Sequence, residues 1–200
     1  MTYPSFFDEV DSILLYDPLA DFLGAIEAGE TEIRYIDAVK FAGHSCPTVA
    51  GAYLMAKLGL EYLFPDALPI RGEIEVSIKG AKAEGVNGVI GNLIAYICGV
   101  SDEAGFKGIG GKFNRSGKLH YGADIEGEVR LKIASGDKKV DLSYDPSVVP
   151  PNPQMKELMQ KLLSGNASIE DRKNFQRIWQ ERVEKILLTK ELWPQMIKLS

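Results

Sequence analysis

The sequence predicts an α+β fold: a central antiparallel or mixed sheet, flanking helices and a helical C-terminal extension. Alternation of apolar and polar residues, the period of a half-buried strand, falls in the middle of the chain, at 70–79, 125–133 and 140–144. Apolar residues three and four apart, the period of a helix face, fall on either side. Strands gathered centrally with helices at both ends point to segregated helical and sheet layers.

Each element has its own signal. Over residues 5–28 Phe6, Phe7, Val10, Ile13 and Leu14, then Leu19, Phe22, Leu23 and Ile26, recur at helical spacing, with Pro18 and Gly29 as breaks; two short helices are expected. Ile33 and Tyr35 alternate with polar neighbours, as in a short strand, although a helix also fits. Pro47, favoured at a first helical position, opens a helix to about Leu63 with a small-residue face: Ala50, Gly51, Ala52, Ala56 and Gly59. In 70–79 Ile70, Ile74, Val76 and Ile78 share a face opposite charges. Val86–Val100 is apolar and of helix length. After a glycine-rich loop and two strand-like pieces over 105–122 come strands at 125–133 and 140–144. A proline-marked linker covers 146–153. Met155, Leu158, Met159, Leu162 and Leu163 form one helical stripe. A second helix starts at the capping box Ser168/Asp171 and carries Phe175, Ile178, Trp179, Val183 and Ile186. The expected division is an N-terminal helical segment (1–30), an α+β core (31–148) and a C-terminal helical extension (149–200).

Composition narrows the partners. With 200 residues, 45% of them hydrophobic, the chain is long enough for a sizeable core. A net charge of −5 repels phosphate backbones, which argues against nucleic acid. No apolar run approaches the roughly 20 residues of a membrane helix. The first ten residues lack the basic region of a signal peptide. The expectation is a cytoplasmic protein with no membrane partner.

Cysteine and histidine are scarce: Cys46, Cys98, His44 and His120. Two of the four share the segment Gly43-His44-Ser45-Cys46-Pro47. In an extended segment, residues two apart project to one side, so an imidazole and a thiol there can meet one ion. Cys46 falls at the N-cap of the Pro47 helix, where unpaired N–H groups and the macrodipole favour negative charge. Two ligands are too few for zinc. Cys98, at a helix–loop junction, is the natural third, and the soft donors favour Zn2+ or another transition metal over Mg2+ or Ca2+.

Lys40-Phe-Ala-Gly-His-Ser-Cys-Pro-Thr48 and the small-faced helix after it resemble the Gly-His-x-Cys-Pro signature of FmdE-type proteins, a family that takes its name from a component of formylmethanofuran dehydrogenase. The resemblance covers roughly residues 31–190, through the strand Arg71–Ile78, the helix ending at Cys98-Gly99 and the tail Ser168–Leu188. It implies an α+β core, a homodimer, and a cavity in which His44, Cys46 and Cys98 hold a metal. Thr48 stands where many members have Gly, and residues 101–111 depart from the family pattern. With no further cysteines, the C-terminal treble-clef zinc finger of some members is missing.

The loop Gly105–Arg115 fits neither the P-loop nor the dinucleotide pattern. The backbone N–H groups around Gly108 and Gly110, beside Lys112 and Arg115, still suit a small anionic ligand, against the plainer reading of a tight turn. His120 reads as structural. The leading expectation is a metal-binding protein of one-carbon or redox metabolism, with Zn2+ as Lewis acid or water activator. One rival is a non-enzymatic module that holds a metal and docks a partner through its helices. The other is a metal-free cysteine enzyme using Cys46 with His44.

Overall fold

The computed structural model describes residues 2–200 and has an α+β fold. Its elements run β1 (Ile13–Tyr16), α1 (Pro18–Phe22), β2 (Glu30–Ile33), α2 (Tyr35–Ala42), α3 (Pro47–Leu63), β3 (Ile74–Ile78), α4 (Asn87–Cys98), β4 (Leu119–Tyr121), β5 (Val129–Ile133), β6 (Lys139–Tyr144), α5 (Met155–Leu163), α6 (Ile169–Leu188), α7 (Trp193–Met196) and β7 (Ile197–Leu199). β1 and β2 form a small antiparallel pair. The main sheet is mixed, in the order β4-β3-β5-β6-β7, with β3 parallel to β4 and every other neighbour antiparallel.

Strand alternation decides which face is covered. Ile74, Val76 and Ile78 of β3 are buried with Val129 and Leu131 of β5, while Glu75 and Lys132 meet 3.7 Å apart on the other face. The buried face receives α3. This helix is apolar nearly all round, as a central helix must be: Val49, Ala50, Tyr53, Leu54, Met55 and Ala56 are fully buried. Its small residues permit the close approach. A Cβ on Gly59 would lie 2.6 Å from Leu131 Cδ1, and one on Gly51 2.3 Å from the Tyr144 ring.

Tyr53 ties α3 to the N-terminal pair. Its hydroxyl lies 3.0 Å from both the Asp11 and Ile33 carbonyl oxygens. Tyr53→Phe leaves the ring in place and strands those acceptors. A loss of about 1–2 kcal/mol is expected, read as a lower urea midpoint with an unchanged slope.

The expectation of two helices over 5–28 needs correction. Ser5–Glu9 is a 3-10 turn, and Ile13–Tyr16 is the strand β1. Of the expected helices only α1 forms, capped by Asp17, whose carboxylate accepts from Leu19 and Ala20 N–H at 3.1 and 3.0 Å. Tyr35 opens α2 instead of extending the strand that ends at Ile33. Over 105–122 one strand forms, β4, not two; Ile109–Lys112 is a tight turn closed by two backbone hydrogen bonds. The C-terminal strand β7 has no counterpart in the sequence reading. No helix among the described residues is long and apolar enough to cross a membrane.

Candidate functional site

α2 ends at Gly43, whose positive φ of 77° reverses the chain, and Pro47 starts α3 four residues later. The connection carries His44, Ser45 and Cys46. Cys46 is the N-cap of α3: its Sγ accepts from the Val49 N–H at 3.4 Å, and the residue keeps a small opening to solvent, 9% exposed. His44 is exposed, with Nδ1 3.0 Å from the Ala42 carbonyl oxygen. A carbonyl only accepts, so Nδ1 is the donor in this bond.

Ser45 is the best-tethered residue of the loop. Its hydroxyl donates to Gln180 Oε1 at 3.1 Å, so the Tyr35 hydroxyl, 3.0 Å away, donates to Ser45. The Ser45 carbonyl accepts from Trp179 Nε1 at 2.9 Å and from Gln180 Nε2 at 3.4 Å. The Tyr144 hydroxyl donates to the Pro47 carbonyl at 3.1 Å. Burial pushes the Tyr35 and Tyr144 phenols well above their ordinary value, so both stay neutral donors at any ordinary pH. α6 thus clamps the loop through two adjacent side chains, and β6 clamps the head of α3.

The three donors predicted to share a metal are engaged separately. Cys98 is fully buried in the apolar core, at the end of the stripe Ile90, Ile94, Cys98. Burial pushes its thiol up to about 12, with Arg71 opposing, so it is a neutral small hydrophobe at pH 7. Among the described residues no three His, Cys, Asp or Glu side chains form a group fit to hold a metal ion. The residues present therefore do not compose the His44/Cys46/Cys98 zinc set. The cysteines form no disulfide with each other.

The glycine-rich loop is divided in the same way. Gly110 and Lys112 belong to the Ile109–Lys112 turn, and Gly108 leads into it. Gly108 has a φ of +88°, and a Cβ there would lie 2.2 Å from the Lys112 carbonyl oxygen, so the turn itself demands glycine. Arg115 leaves the turn and points inward, Nη2 to Asp17 Oδ1 at 2.5 Å. Arg71 reaches the other carboxylate oxygen at 3.1 Å and also donates to the Tyr96 and Ile97 carbonyls that end α4. Phe113 packs on Phe22 of α1. The loop is thus fastened to α1, and Arg115 is spent on a buried ion pair instead of an outside anion. His120 is exposed on the edge strand β4.

Sequence reasoning missed Asp17, Arg71, Trp179 and Gln180. Asp17-Pro18 carried a readable signal, an acidic N-cap before a proline. Trp179 lies in a stripe that reads as packing, and nothing in its spacing announced the bond to Ser45.

Fold and site together define a class: an α+β protein with a short His-Ser-Cys connection clamped between its central helix and its C-terminal helix. No protein-family model, no curated protein and no solved structure matches this chain.

Proposed function

We propose that this chain is an FmdE-like protein that works through the His44-Ser45-Cys46 loop, with the Cys46 thiol as its reactive group. The observation that carries this is the contrast between the two cysteines. Cys46 sits at the N-terminus of a 17-residue helix with an opening to solvent; Cys98 is sealed in the core with its thiol pushed up to about 12. A helix N-terminus supplies N–H groups and a positive dipole end, the setting in which a thiolate is stabilised. The exposed His44 stands two residues before Cys46 on the same connection, its Nδ1 held by the Ala42 carbonyl. The reaction class is attack by sulfur on an electrophilic carbon of a small molecule.

A second reading is favoured by one contact. A ligating histidine usually donates its other ring N–H to a carbonyl or carboxylate, as His44 does to Ala42. In that reading the loop offers His44 and Cys46 to a metal, and a second copy of the chain supplies what one chain lacks.

Iodoacetamide separates the two. In folded protein at pH 8, Cys46 is expected to be alkylated and Cys98 spared, with Cys98 reacting only in denaturant; peptide mass mapping reads both. Cys46→Ser abolishes native labelling. Native labelling of Cys98 at a comparable rate defeats the proposal. Inert cysteines together with about one equivalent of bound zinc by elemental analysis give the site to the metal.

A further inference from the structure

α5 and α6 form a helical hairpin closed by its own small core of Met155, Leu158 and Ile178, and Trp179 packs against both that core and the main one. Beside this joint runs a cleft of about 750 Å³, within the roughly 300–1,000 Å³ usual for small-molecule sites. Its walls are Met159, Leu162 and Leu163 of α5 and Phe175, Trp179 and Gln180 of α6, with Thr2, Pro4 and Gln176 completing it. None of these carries a charge, although charged residues make up 26% of the chain and fill the other faces of both helices. Leu163 at the lip is 83% exposed. Gln180 on the cleft wall, together with Trp179, holds Ser45, the residue next to Cys46.

We propose that this cleft binds the hydrocarbon chain of a small, uncharged ligand whose polar head lies at the loop 43–47. The inference rests on the reading of Cys46 as the reactive thiol and names the substrate class: an electrophilic head on an aliphatic or aryl-aliphatic tail. Uncharged, largely apolar walls that include the Phe175 and Trp179 rings select such a molecule over an ionic metabolite or an acidic peptide. Each methylene that enters the cleft strengthens binding about three- to fourfold.

The test uses the full chain and a series of N-alkylmaleimides from ethyl to octyl. Rates at Cys46, followed by mass spectrometry, are compared with the same series on glutathione. The octyl-to-ethyl rate ratio at Cys46 is expected to exceed the glutathione ratio by about 30-fold or more. Leu162→Asp, verified as folded by circular dichroism, brings the ratio down to the glutathione value. A ratio matching glutathione in the unaltered protein, with ethylmaleimide still reacting at Cys46, overturns the cleft and leaves the thiol reading standing. A Cys46 inert to ethylmaleimide defeats the thiol reading instead. Calorimetry of Cys46→Ser with the unreactive N-octylsuccinimide then decides the cleft: saturable binding lost on Leu162→Asp supports it, and no binding overturns it. Concentration-dependent dimerisation that Leu162→Asp abolishes assigns the cleft to a second copy of the chain and also overturns the proposal.

Discussion

Asp17→Asn is expected to destabilise the fold by about 3–5 kcal/mol, the range for removing one partner of a buried ion pair. The Asp17 side chain is 4% exposed, and those of Arg71 and Arg115 are 17% and 16% exposed. Asparagine preserves the size and the acceptor toward Leu19 and Ala20, so the helix cap survives. What disappears is the one negative charge between two guanidinium groups, which are then left desolvated and facing each other. In a chain of this length the loss corresponds to a fall in Tm on the order of 10 °C. Scanning calorimetry or thermal circular dichroism reads it. Arg115→Met leaves Arg71 paired and should cost less, so the order Asp17→Asn worse than Arg115→Met is itself a check. A Tm for Asp17→Asn within 2–3 °C of the unaltered protein, about the shift for 1 kcal/mol at this size, would mean the cluster contributes little.

The same carboxylate sets a pH dependence with a defined sign. Burial alone pushes Asp17 up, but the Ala20 N–H, the Arg115 hydrogen bond and charge, and the Arg71 charge outweigh it and hold the group below its ordinary value of 3.8. The folded state thus binds the proton more weakly than the unfolded state. This contribution to stability is complete above the ordinary carboxylate range and is lost as pH falls below 3.8. Asp141, held low by Arg130 and by the Glu126 and Gly127 N–H groups against its own burial, acts with the same sign. Stability plotted against pH should therefore drop on the acid side, and Asp17→Asn should flatten that drop.

Sequence patterns predict the structure well wherever local chemistry fixes the outcome. Pro47 at a first helical position, followed by a mostly apolar run, predicts a helix to about Leu63, and α3 spans Pro47–Leu63. The Ser168/Asp171 capping box forms as written, with the Ser168 Oγ accepting from the Asp171 N–H at 3.0 Å and the Asp171 carboxylate from the Ser168 N–H at 2.9 Å. Tertiary pairing overrides local pattern elsewhere. Ile13-Leu14-Leu15 is a short apolar run that serves a helix or a strand equally, and its antiparallel partner Glu30–Ile33 decides the matter. β7 is three residues long and exists because β6 offers it an edge.

The candidate site divides along the same line. That the 43–47 loop sits at a helix entry is plain in Gly43 and Pro47. Where the side chains go is not, because a two-residue spacing places His44 and Cys46 together only if the segment stays extended and neither side chain finds a nearer partner. Each finds one in the backbone, at Ala42 and Val49. The fate of Cys98 was available in principle: Ile90, Ile94 and Cys98 stand four apart, which marks the cysteine as one more position of a buried stripe.

Gly51→Val should do the second largest damage, and it links packing to the site. Gly51 lies where α3 crosses β6. A Cβ there would be 2.3, 2.4 and 2.7 Å from three atoms of the Tyr144 ring, far inside contact distance, and the half-buried ring packs against the core beside the helix. Valine adds two further methyl groups to that conflict and, being β-branched, has few rotamers with which to avoid it. Either α3 moves off the sheet or Tyr144 swings out. We expect a cost of about 3 kcal/mol or more, the upper part of the overpacking range. Tyr144 also donates to the Pro47 carbonyl at the head of α3, so its displacement loosens the residue that follows Cys46. The iodoacetamide reaction at Cys46 should therefore change in rate in any Gly51→Val protein that still folds, while Gly165→Ala, at the exposed turn after α5, should leave that rate as it was. If Gly51→Val keeps both its denaturation midpoint and its Cys46 rate, α3 does not lie against Tyr144 as described, and the link from sheet to loop fails with it.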